Sequence, residues 1–88
     1  MFFVYIIKNP DNKLYIGISE NPEQRLKNHN SNQGAQFTKH KTVFQIVFLE
    51  KYNDLSQARK REIQIKRWRR EKKEFLIERY NQGLETRI

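Results

Sequence analysis

Eighty-eight residues carrying 18 Lys and Arg against 10 Asp and Glu, a net charge of +8, predict one small domain spanning residues 1–88 and a polyanionic partner, nucleic acid first among them. The absence of cysteine excludes disulfide frameworks, thiolate metal centres and cysteine nucleophiles, and is compatible with a reducing, cytoplasmic setting. The longest apolar run, Phe2 to Ile7, falls far short of the ~20 residues of a membrane span and of the ~7 to 15 of a signal-peptide core, so no targeting segment is predicted.

Phe2, Val4 and Ile6 alternate with Phe3, Tyr5 and Ile7 in an aromatic and β-branched run whose two faces both read as buried. Such a run predicts a central strand. Asn9, Pro10, Asp11 and Asn12 supply turn chemistry before a second strand from about Lys13 to Ser19, and the two strands make a hairpin. Register decides which face each tyrosine takes, because a one-residue slip turns every side chain over. If Tyr5 opposes Tyr15, the rings lie side by side. A strict four-residue loop pairing Lys8 with Lys13 would separate them, so a shared face predicts a three- or five-residue loop or a bulge.

Asn21, Pro22, Glu23 and Gln24 predict a helix start: an Asn N-cap, proline at the first helical position, an acid in the first turn and Gln at the capping-box position. The helix is expected to run to about Asn30, with Arg25 and His29 one turn apart on one face and able to meet at one phosphate. Residues 31–42 read as a polar loop containing Gly34, Lys39, His40 and Lys41. A third strand is predicted over Val43–Glu50, followed by turn and capping residues Asn53, Asp54 and Ser56. From Leu55 to about Arg70 a long helix is expected to turn Leu55, Ala58, Glu62 and Ile65 inward, spreading Arg59, Lys60, Arg61, Arg67 and Arg70 over the rest. A second helical segment from about Glu71 to Gln82 carries Phe75, Leu76 and Tyr80, and Gly83 can cap it. The order β-β-α-β-α-α predicts an α+β fold, a small antiparallel sheet covered by helices.

Glu62 is singled out because the helical period puts a carboxylate on the side facing the protein, where leaving it unpaired would cost several kcal/mol. Either a salt bridge to Arg25, Arg59 or Lys66 satisfies it, or it lies at a cleft holding a cation. Tyr5, Tyr15, Arg25 and His29 each have an ordinary structural explanation as core rings, a surface cation and a helix-packing imidazole. Their conjunction points to phosphodiester hydrolysis, which needs a proton acceptor for water, a cation at the phosphate and a counter-ion for the leaving oxygen.

Phe3-Val4-Tyr5, then Tyr15-Ile16-Gly17, then Arg25, His29 and Glu62 resemble the GIY-YIG nuclease domain, in the compact bacterial branch similar to the nuclease half of the excinuclease C subunit. Gly34-Ala35, Phe37-Thr38, Arg61-Glu62 and Ile65-Lys66 extend the likeness over nearly the whole chain. The resemblance implies a three-stranded antiparallel sheet flanked by helices. It also implies a metal-dependent endonuclease acting on DNA, in repair or recombination. Within it, Glu62 binds one divalent cation, Mg²⁺ or Mn²⁺, and Tyr5 or Tyr15 helps take the proton from water. Arg25 stabilises phosphate charge, His29 positions or transfers a proton, and Gly17 permits close approach.

Two departures stand out. Phe3 replaces the glycine of the motif name, and Glu74 occupies a position where larger relatives often carry Asn. Those relatives also have separate DNA-binding domains, so here the basic helices, with Arg59, Lys60, Lys66, Arg67, Arg69, Arg70, Lys72 and Lys73, are expected to contact the nucleic-acid backbone. The alternatives are a non-catalytic DNA- or RNA-binding module that retains the fold, and an adaptor to a repair-protein partner.

Overall fold

A computed structural model describes residues 1–34 and 43–88, without the side chains of 32–34. The elements follow the expected order: β1 (Phe2–Lys8), β2 (Leu14–Ser19), α1 (Pro22–Gly34), β3 (Gln45–Tyr52), α2 (Leu55–Arg67) and α3 (Arg70–Asn81). The three strands form one antiparallel sheet in the order β2-β1-β3, so β1 is central. Boundaries differ from expectation at three places. Helix α1 continues to Gly34, β3 begins and ends two residues later, and α2 stops at Arg67 where Trp68 turns extended. No helix among the described residues is long and apolar enough to cross a membrane.

The hairpin settles the tyrosine question. Lys8 pairs with Leu14, leaving a five-residue loop from Asn9 to Lys13 and putting Tyr5 and Tyr15 on one face. They are diagonal neighbours rather than directly opposed, because Tyr5 faces Gly17 and Tyr15 faces Ile7. The loop is closed by buried Asn9, whose side chain accepts from the Lys13 amide at 2.8 Å and whose carbonyl accepts from the Asn12 amide at 2.9 Å. Asn12 takes the left-handed conformation, φ 66°, which asparagine tolerates better than most residues.

Both faces of the sheet are covered. Val4, Ile6, Ile16 and Phe48 meet Ala58 and Ile65 of α2 and Leu76 and Ile77 of α3 in the larger core. Tyr5, Ile7 and Phe44 form the smaller one, with Leu26 of α1, Ile46 and Leu49 packed against it. A bulge lets β3 serve both: Ile6 pairs with Phe48 but Ile7 pairs with Ile46, so Phe48 and Ile46 enter opposite layers. The capping residues behave as read. The Gln24 amide donates to Asn21 Oδ1 at 3.2 Å and the Ser56 amide to Asp54 Oδ1 at 2.8 Å. Gly83, at φ 73°, ends α3 with Leu84 N–H to Arg79 C=O at 2.9 Å and Gly83 N–H to Tyr80 C=O at 3.1 Å, the paired bonds of a Schellman close.

The expected inward stripe of α2 needs correction. Leu55 is exposed, and Arg61 is buried beside Ala58 and Ile65, while Glu62 faces the protein as expected with its side chain largely covered. The reason is a partner that periodicity does not reveal. Glu50 on β3 accepts Arg61 Nε at 2.8 Å and Nη2 at 3.2 Å, and the two side chains retain only 12% and 9% of their exposure. The same carboxylate accepts the Tyr52 hydroxyl at 2.7 Å and the Thr86 hydroxyl at 2.9 Å. Arg61 also donates to the carbonyls of Thr86 at 2.7 Å and Ile88 at 3.1 Å. Burial and then the hydrogen bond to Glu50 push the Tyr52 hydroxyl up to about 12.

Removing one charge of such a buried pair strands the other, at a cost of about 3 to 5 kcal/mol. Glu50→Gln is therefore expected to lower the unfolding free energy in urea by that amount. Glu50→Gln combined with Arg61→Met should recover much of the loss, because no buried charge then remains unmatched.

Candidate active site

The hairpin face that carries the two tyrosines is roofed by α1. Tyr5, Ile7 and Tyr15 from the sheet and Arg25, Leu26, Asn28 and His29 from the helix enclose a cleft of about 240 Å³. Four of the five expected site residues thus share one concavity. Tyr5 is buried at its base and Tyr15 stands 49% exposed at its mouth.

Tyr5 lies across Gly17, the residue it faces on β2. A Cβ at Gly17 would sit 2.5 Å from the Tyr5 hydroxyl oxygen and 2.7 Å from Cζ, inside any tolerable contact. Glycine is needed here for space. The hydroxyl is subject to opposing influences: burial raises its pKa, while a side-chain hydrogen bond and the positive charge of Arg25 lower it, leaving it above the ordinary value. Tyr15 and Glu62 add smaller upward contributions.

His29 links the cleft to the sheet. Its ring lies 5.2 Å from Tyr15 and meets Phe44 edge-on at 4.6 Å. The next residue of α1, Asn30, clasps the backbone of Phe44 with its side chain, donating from Nδ2 to its carbonyl at 3.1 Å and accepting its amide at 2.9 Å. Asn30 and Phe44 were not singled out in the sequence. An isolated asparagine at a helix end carries no signal of a partner fourteen residues away.

Glu62 does not line the cleft, although its charge is felt by Tyr5. Its carboxylate is 15% exposed and pairs with Lys66 Nζ at 3.1 Å, one of the three salt-bridge partners considered for it. Among the described residues no group of three His, Cys, Asp or Glu is disposed to hold a metal. A multi-carboxylate cage is thus absent there, whereas a hard cation held by one carboxylate, with remaining positions filled by water and substrate oxygens, fits Glu62. Lys66 is 52% exposed.

The other singled-out residues are dispersed. Arg59, Lys60, Lys66, Arg67, Arg69, Arg70 and Lys72 are exposed and Lys73 is half-buried, all on or beside α2 and α3 rather than in the cleft. Arg70 donates to Glu74 at 2.7 Å and to the Asn12 carbonyl, and Lys8 reaches the same glutamate at 3.2 Å. Glu74 consequently ties α3 to the hairpin. Burial acts to raise its pKa, but the hydrogen bonds from Arg70 and Lys8 prevail and hold it below the usual range. Ala35, Phe37, Thr38, Lys39, His40 and Lys41 lie outside the described residues.

The GIY-YIG catalytic domain matches residues 1–75 of this sequence. The chain belongs to the GIY-YIG family. It is 41% identical over 75 residues to a UPF0213 protein of Staphylococcus saprophyticus, a match covering 85% of this chain and 92% of that one. A UPF0213 protein of Staphylococcus aureus is 43% identical over the same length and coverage. Among solved structures, the solution NMR structure of a UPF0213 protein from Bacillus halodurans superposes with a TM-score of 0.58 at 30% identity, covering 89% of this chain and 84% of that one. The α+β architecture is thus shared with a relative of the same group.

The family's tyrosine and glycine positions interlock physically at Tyr5 and Gly17. Gly17→Ala is expected to displace the Tyr5 ring and destabilise the fold by about 1 to 3 kcal/mol. In a Tyr5→Ala background the same substitution should cost far less. A double-mutant cycle in chemical denaturation reads the coupling, and additive effects would mean that the ring does not lie across the glycine.

Proposed function

We propose that this GIY-YIG chain is a metal-dependent endonuclease that hydrolyses DNA phosphodiester bonds. The observation that carries the reading is the gathering of Tyr5, Tyr15, Arg25 and His29 around one small cleft, with Glu62 acting on Tyr5 from α2. Hydrolysis adds a water oxygen to phosphorus, breaks one phosphorus–ester bond, removes a proton from the water and delivers one to the leaving oxygen. Tyr5, at the base of the cleft, receives the water's proton as its phenolate and becomes the neutral phenol, the leaving oxygen takes a proton from solvent, and Arg25 holds the phosphate oxygens in its planar fork. His29 orients Tyr15 through the ring contact between them. A divalent cation, Mg²⁺ or Mn²⁺, bound at Glu62 would supply charge neutralisation at the phosphate and the leaving oxygen.

The exposed cations of α2 and α3 suit backbone contact by counterion release, which favours substrate structure over sequence and is consistent with work on repair or recombination intermediates. One observation favours a second reading. The Glu62–Lys66 pair satisfies the carboxylate without any metal, as a non-catalytic nucleic-acid-binding module would require.

Cleavage of labelled duplex, flap and branched DNA in Mg²⁺ separates the two. A nuclease loses activity in EDTA and falls by about 10²-fold or more in Glu62→Gln, while binding in EDTA is retained. A binding module shows no Mg²⁺-dependent cleavage on any substrate.

The state of Tyr5 makes a further prediction. With its pKa above the ordinary tyrosine value, the phenolate fraction at neutral pH is small and grows about tenfold per pH unit. The value of kcat/KM is expected to climb with that slope between about pH 7 and 9, and Tyr5→Phe should abolish the climb. A flat profile in the parent protein would remove Tyr5 as the proton acceptor.

A further inference from the structure

Where α2 gives way to α3, a half-buried tryptophan and an exposed phenylalanine lie among cations. Trp68 ends α2 with an extended backbone and packs partly against the larger core, while Phe75, in the second turn of α3, is 53% exposed. Between them runs a groove of about 610 Å³, bordered by the three cations Arg67, Arg69 and Lys72 against one carboxylate, Glu71, with Ile88 completing the lining. Lys72 Nζ stands 4.4 Å from the centre of the Trp68 ring. Arg67 and Arg69 have no carboxylate partner within salt-bridge distance among the described residues. Folding does not account for an exposed phenylalanine in this position, since Leu76 and Ile77 already supply the buried face of α3.

We propose that this groove is a stacking platform for an unpaired base of the nucleic-acid strand. The inference rests on the nucleic-acid reading above and adds a substrate class to it: strands with a single-stranded segment, such as a flap or gap. The composition of the groove selects this occupant. Three cations around an aromatic floor complement an anionic backbone carrying flat, apolar bases, the combination that single-strand binding sites use. An unpaired base offers a free face to such a floor, whereas the bases inside a duplex are already stacked and out of reach. On binding, the exposed Lys72 leaves the Trp68 ring for a phosphate and the base takes its place in the groove.

Trp68 is the single tryptophan of the chain, so its fluorescence reports on this groove alone. The full chain would be titrated in EDTA at about 0.15 M salt with oligo(dT), with blunt duplex DNA and with polyglutamate of matched charge. Oligo(dT) is expected to quench Trp68 strongly, and the other two to quench it weakly. Phe75→Ala should weaken oligo(dT) binding about tenfold while leaving duplex binding unchanged, since a stacked base contributes roughly 1 to 3 kcal/mol. Phe75→Tyr, which keeps the aromatic face, should restore affinity and exclude a folding defect.

Equal quenching by polyglutamate or duplex, or oligo(dT) affinity indifferent to Phe75→Ala, would overturn the platform. The two proposals fail separately. Glu62-dependent cleavage with no effect of Phe75 removes the platform and leaves the nuclease. Phe75-dependent oligo(dT) binding without Mg²⁺-dependent cleavage keeps the platform and removes the nuclease.

Discussion

The position of α2 depends on one buried carboxylate. Glu50 gathers the Arg61 guanidinium and the Tyr52 and Thr86 hydroxyls, while Arg61 spends its remaining donors on Gln64 and on the carbonyls of Thr86 and Ile88. A charge pair removed from water gains stability only when its lone pairs and protons are matched this fully. Among the described residues no buried side-chain polar atom lacks a partner. The consequence reaches the cleft through helix geometry. Successive residues turn by about 100°, so clamping Arg61 toward β3 fixes the bearing of Glu62, its neighbour. The carboxylate that influences Tyr5 is thereby aimed by a bond it does not make.

The two sides of the sheet are held very differently. On one, α2 and α3 bury Ala58, Ile65, Leu76 and Ile77 against Val4, Ile6 and Phe48 in an apolar layer. On the other, Leu26 is the apolar residue that α1 sets against Tyr5, Ile7 and Phe44. Such a polar helix cannot be held by hydrophobic area alone. Its seat is fixed by directional contacts, the Asn30 clasp on Phe44 and the His29 ring between Phe44 and Tyr15. That arrangement keeps polar groups available around the cleft, which a thicker apolar layer would have occluded.

What the sequence disclosed and what it hid follow from the range of the interactions. The turn at Asn9 to Asn12, the Asn21 and Asp54 caps and the Gly83 close act within a few residues, and each does in the structure what its local chemistry implies. The tyrosine face was legible as a choice between loop lengths, and the five-residue loop selects it. Arg61 was not legible, because an arginine in a run of cations looks solvated and Glu50 lies eleven residues earlier on a strand. Helical period turned Glu62 toward the protein, where its side chain is only 15% exposed, but gave no sign that its neighbour Arg61 is buried as well. The β3 bulge was equally hidden, since a strict alternation would have set Ile46 and Phe48 on the same face. The family resemblance named the residues of the cleft, but the interlock of Tyr5 with Gly17 is visible only in three dimensions.

Positive charge is unevenly useful across this molecule. The net charge of +8 sets a field that draws polyanions, yet at physiological salt it decays over about 8 Å, so long-range attraction delivers substrate without orienting it. Orientation falls to cations with defined neighbours, and Arg25 is the one that shares a cleft with Tyr5. In the free protein, burial acts against ionisation of Tyr5 and Arg25 favours it, with burial the stronger. A phosphate arriving at Arg25 draws on that cation's charge and would leave Tyr5 still harder to ionise. Glu62, whose charge adds to the upward shift of Tyr5, is itself paired with the half-exposed Lys66, so in the structure a lysine offsets the charge of that carboxylate.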